Sequence, residues 1–125
     1  MAAAGNSHKF KDWLLSEMHR RGWSQSDLAR SADLNRAVIN KLLSGQSTPR
    51  PATLAALARA FKIPVERVFR ISGLLPEIPE SESLIEEVNF QLRQLRSPQR
   101  RATALILIKA LISEEQQEKG KKQEL

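Results

Sequence analysis

Few side chains in this chain can do covalent chemistry. Cysteine is absent from the 125 residues, which excludes a disulfide framework, a thiolate zinc site and a cysteine nucleophile. Two histidines, His8 and His19, are too few for a metal centre without carboxylate help. Both read as surface residues of a first helix. No nucleophile–base pair, glycine-rich phosphate loop or carboxylate constellation has its required spacing, so an enzyme is not expected and no cofactor is implied. What remains is positive charge, and it is unevenly placed. Residues 1–75 hold 12 Lys/Arg against 5 Asp/Glu, whereas residues 76–125 hold 8 against 9. A basic head on a near-neutral second module suits binding to a polyanion.

The elements that must carry this charge are helices. Every sizeable apolar segment has helical spacing and none alternates like a strand, so the fold class is all-α. Residues 8–21 place Phe10, Trp13, Leu14 and Met18 on one side. After Gly22, Ser24 is an N-cap with Asp27 three residues on, a variant of the capping box, and Trp23 and Leu28 stand at staple positions. This second helix is short and ends near Ala32. The turn residue Asp33 is predicted to need a positive φ, which Asp is among the few residues to tolerate. Ala29 keeps the contact between two steeply crossing helices small. Asn35 caps a third helix running to about Leu43, and Gly45 ends it. Pro51 opens a fourth helix with Leu54, Leu57, Ala58 and Phe61 on one face. A fifth follows from Val65 to about Ser72.

Residues 1–7 read as a flexible N-terminus, 8–73 as a five-helix domain, 74–81 as a linker, 82–113 as a two-helix hairpin and 114–125 as a charged, fraying tail. In the hairpin, Leu84, Val88 and Leu92 form a stripe, and Leu105, Ile108, Leu111 and Ile112 belong to a helix that is apolar nearly all round. Such a helix is buried on every side, which one hairpin cannot achieve alone. Pairing with a second copy through these seven residues is the expectation; the alternative is folding back on the first domain. No charged region followed by an apolar run opens the chain, so no secretory signal is expected. The longest purely apolar run, Ala104 to Ile108, is too short for a bilayer, and a cytoplasmic, nucleoid-associated protein is expected.

The run Gln25-x3-Ala29-x2-Ala32-Asp33-Leu34-Asn35-x3-Ile39-x2-Leu42, with Ser44-Gly45 and Pro49-x4-Leu54-x2-Leu57-Ala58-x2-Phe61-x-Ile63, resembles the phage-repressor (lambda repressor/Cro-like) helix-turn-helix family. The likeness covers residues 8–72, with Asp33 where that family usually has glycine. It implies that the third helix lies in the major groove of double-stranded DNA. Arg36, Ala37, Asn40 and Lys41 would then meet base edges. Gln25, Asn35, Ser44, Ser47, Thr48 and Arg50 would meet the phosphate backbone. It further implies a transcriptional regulator, a homodimeric repressor of an inverted-repeat operator. The alternative is an antitoxin that holds a partner toxin with its C-terminal helices and represses its own operon.

Overall fold

Caps decide where the central helices begin and end. The computed structural model describes residues 2–45 and 48–123, and divides them into two units, residues 1–87 and 88–125. The described residues form seven helices: α1 (Ala2–Arg21), α2 (Gln25–Ala32), α3 (Arg36–Ser44), α4 (Pro51–Phe61), α5 (Val65–Ser72), α6 (Glu80–Gln94) and α7 (Pro98–Gln123). At the start of α2 the Asp27 N–H donates to Ser24 Oγ at 3.1 Å, and the Ser24 N–H donates to Asp27 Oδ2 at 2.9 Å. The expected capping box is complete with Asp in the acidic role. The Ser24 amide, then its hydroxyl, hold the Asp27 carboxyl below its ordinary pKa.

Asp33 ends α2 in the left-handed conformation, with φ 54° and ψ 46°. The Leu34 N–H then donates to the Ala29 carbonyl at 2.8 Å, which satisfies an otherwise orphaned helix-end group. A non-glycine residue in this region costs energy because its Cβ crowds the following carbonyl. Asp33→Gly should therefore raise stability by about 0.5–1 kcal/mol, read as a higher urea midpoint at unchanged slope. A lower midpoint would mean that the Asp33 side chain contributes more than its backbone costs.

The core of the first unit lies between α1 and α2–α5. Leu14, Leu28, Ile39, Leu54, Leu57 and Val68 are its fully enclosed large side chains, and Ala29 is buried with them. α2 packs on α3 and α4, while α1 packs on α3 and α5. Trp13 and Trp23 lie half-buried against this core, as expected of structural tryptophans. His8 and His19 are exposed on α1.

Four features depart from the sequence reading. First, α1 begins at Ala2 rather than at residue 8; three consecutive alanines are strong helix formers. Second, α6 starts at Glu80, inside the expected linker. Glu80 and Glu82 in its first turn suit the positive end of a helix, and it stops at Gln94 ahead of the Ser97-Pro98 break. Third, α7 continues to Gln123 instead of fraying after Ser113. Glu115 and Lys119 stand four residues apart there, a spacing that favours helix. Fourth, Lys62 also adopts a positive φ, 57°, where Ile63-Pro64 forces α4 to end.

A buried acid was also not expected. Glu17 is only 6% exposed and is paired with Arg20 and Arg21. Arg21 reaches further: it donates to the Phe61 carbonyl at 3.0 Å, with its guanidinium 4.6 Å from the Phe61 ring centroid. Trp23 stacks on the same ring at 5.7 Å. One arginine thus neutralises a buried carboxylate and closes the end of α4, fixing the helix that supports α2.

Arg70 and Glu86 form a two-point ion pair at 2.7 and 2.6 Å, and Arg67 meets Glu87 at 2.8 Å. These pairs tie α5 to the first part of α6. The Arg70 hydrogen bonds hold the Glu86 carboxyl below its ordinary pKa. A depressed carboxylate stabilises above its unfolded pKa and loses that contribution as pH falls through the folded one. Acidification below the usual carboxylate range should therefore speed amide hydrogen exchange over residues 80–87, and Glu86→Gln should do so at neutral pH. Equal protection in the variant would show that the pair does not hold this segment.

In the second unit no apolar side chain of α7 is buried. Leu105, Ile108, Leu111 and Ile112 are 38–64% exposed,. Leu84 and Val88 of α6 are also exposed, and Leu92 is half-buried. None of the described helices is long and apolar enough to cross a membrane.

Candidate nucleic-acid interface

The local sequence of α3 gives it two unlike faces. Ile39, Leu42 and Leu43 point into the core, at 0%, 4% and 9% exposure. Helical spacing then sends Arg36, Ala37, Asn40 and Lys41 the other way, and all four are exposed. Val38 lies at the margin, half-buried against the core.

Asn35 fixes the entry to this helix. Its backbone is extended, and its Oδ1 accepts from the Ala37 N–H at 3.0 Å. The bond leaves the carboxamide nitrogen turned away from the helix end. Gly45 closes the other end with φ 72°. A helix of nine residues, capped at both ends and buried along one side, presents its outer side chains on a rigid base.

The remaining expected positions surround this helix unequally. Gln25 is half-buried at the first position of α2, directly after its cap. Thr48 and Arg50 are exposed and line a groove with Val38, Lys41 and Thr53. Thr53 escaped the sequence reading; its place three residues after the α4 cap at Arg50 was the available signal. Ser44 is exposed, but its hydroxyl donates to the Lys41 carbonyl at 3.0 Å, a local bond that sequence does not announce. Ser47 lies outside the described residues.

Charge pairing separates this face from the rest of the first unit. Lys9, Arg20, Arg21, Arg30, Arg67 and Arg70 each meet a carboxylate. Among the described residues, Arg36, Lys41 and Arg50 meet none. Uncommitted cations on a convex helix leave a positive field directed outward, which attracts phosphate and the acceptor-rich edges of guanine.

Residues 17–68 match the family model described as helix-turn-helix, a stretch that starts in α1, contains α2–α4 entire and ends in α5. No curated protein and no solved structure matches the chain. The matched family, of the Cro/C1 type, is one of DNA-binding regulators rather than of enzymes. Residues 17–68 are therefore a helix-turn-helix domain of the lambda repressor-like family, and the chain that carries them is a DNA-binding transcriptional regulator.

Proposed function

We propose that this regulator is a homodimeric repressor whose α3 helices read the two halves of an inverted-repeat operator. Arg36 pairs with the two acceptors of a guanine, Asn40 with an adenine, and Ala37 sits against a thymine methyl. Lys41 reaches a base or a phosphate. Gln25, Asn35, Ser44, Thr48 and Arg50 hold the backbone on either side, with Ser47 in the same loop. The observation that carries the reading is the outer face of α3, exposed and free of internal partners beside a fully buried inner face.

One such head reads few base pairs and is weak at cellular salt. Two heads on a two-fold axis gain affinity by linkage. The exposed apolar residues of α6 and α7 support that pairing, since a patch of this kind marks a partner surface. Leu84, Val88, Leu92, Leu105, Ile108, Leu111 and Ile112 are the residues assigned to it. The dimer acts in the cytoplasm, on nucleoid DNA. Selection of bound sequences from a random duplex pool, with the full chain, tests the reading. The expected product is a two-fold-symmetric motif with half-site centres about 34–36 Å apart or a multiple. A motif without symmetry would overturn the dimeric operator.

The same exposed apolar surface fits a second reading, an antitoxin whose C-terminal helices hold a toxin. A monomer by sedimentation that forms a one-to-one complex with a co-expressed partner would favour it over the homodimer.

A further inference from the structure

The near-neutral balance of the C-terminal part conceals a segregated pattern. Its nine acidic residues fall at 77–87 and 114–124, at its two ends. Residues 88–113 between them hold five Lys/Arg and no Asp/Glu. Four of the five, Arg93, Arg96, Arg100 and Arg101, stand within the turn that joins α6 to α7.

The turn is built and its charges are open. Arg101 donates through Nε to the Leu95 carbonyl, which braces the connection. Ser97 Oγ accepts from the Arg100 N–H at 3.4 Å at the start of α7. Arg93, Arg96 and Arg100 are exposed, and among the described residues their side chains meet no carboxylate. In this respect they resemble Arg36, Lys41 and Arg50 and differ from the paired arginines of α1, α2 and α5. Three free guanidiniums with no acid in the surrounding stretch repel one another, so the arrangement gains only when an anion lies across it. Each guanidinium offers a fork of donors that matches the oxygens of a phosphate group.

We infer that Arg93, Arg96 and Arg100 form a second polyanion-binding surface, taking the phosphate backbone of the DNA that the helix-turn-helix domain already holds. DNA is favoured over other anions because the first unit brings it to the same chain, at an effective concentration no free anion matches. The contact is sequence-independent. It rests on the chain binding DNA, not on the assignment of Arg36 and its neighbours to bases.

The test is the salt dependence of full-length protein binding to a duplex without operator sequence, over about 50–200 mM salt. Replacing the three together, R93Q/R96Q/R100Q, should lower the slope of log affinity against log salt by roughly 2–3 per chain, at about 0.9 per phosphate contact. R93K/R96K/R100K, which keeps the charges, should retain the slope. Circular dichroism checks that helix content is kept; if the triple variant loses it, each single Arg→Gln variant should still lower the slope by about 0.9. An unchanged slope in the glutamine variants overturns the inference. It does so equally if the wild-type chain alone binds anionic phosphatidylglycerol vesicles, which would assign the patch to a lipid surface. Failure of the operator reading is separate: it appears as no selected motif in the wild-type protein, whatever the slope.

Discussion

Arg36→Ala should lower affinity for the selected operator by roughly 5- to 150-fold, the equivalent of about 1–3 kcal/mol for one two-point contact to a guanine. Preference at one base position in each half-site should relax, while the other positions keep theirs. Binding to unrelated DNA should change far less, because a base contact adds little to the phosphate attraction that dominates there. The fold should not register the change: Arg36 is exposed and has no carboxylate partner within the described residues, and such surface substitutions lie within about 0.5 kcal/mol. Arg36→Lys should recover only part of the loss, since an ammonium cannot present two parallel donors. Competition binding with operator variants measures all of this. A uniform loss at every sequence would move Arg36 from bases to backbone.

Placing charge in the apolar stretch of α7 should have the larger effect on operator binding. Ile108→Glu with Leu111→Glu puts two carboxylates among side chains that otherwise bury only hydrocarbon, and an unpaired charge there is costly. The pair should sediment as a monomer where the parent is a dimer. Apparent affinity for the full inverted repeat should fall by about 100-fold or more, toward that of a single head. The first unit should be spared, because neither residue belongs to its core. A variant that stays dimeric would locate the self-association elsewhere.

How much of this was legible beforehand differs by level. Local punctuation in the first unit was legible. Ser24 with Asp27, Asp33 at a left-handed turn, Asn35 as a cap and Gly45 as a stop each act through bonds within a few residues. The outer face of α3 followed from the same source, for Ile39, Leu42 and Leu43 leave Arg36, Ala37, Asn40 and Lys41 no other side. Features that depend on distant partners were not legible. Glu17 reads as a surface acid until Arg21 is seen to link it to the Phe61 carbonyl, at the end of a helix forty residues away. The groove that joins Lys41 to Thr48, Arg50 and Thr53 likewise needs α4 in place.

The C-terminal part was read less well because its signals conflict. The apolar run 104–112 called for burial, yet within one chain its side chains stay open. Helix ends were misjudged where ordinary propensity outweighed composition: alanines extend α1 backward, and Glu115 with Lys119 carries α7 onward. The overall charge of this part hid its division into acidic ends and a basic middle.

Methylation interference tests the central assignment most directly. Guanine N7 faces the major groove and adenine N3 the minor, so methyl groups at the two report which groove the protein enters. With the selected operator, N7 methylation of the guanines facing Arg36 should abolish binding, and N3 methylation within the half-sites should not. Binding that tolerates every N7 methyl group but is lost to N3 methylation would remove α3 from the major groove and contradict the account.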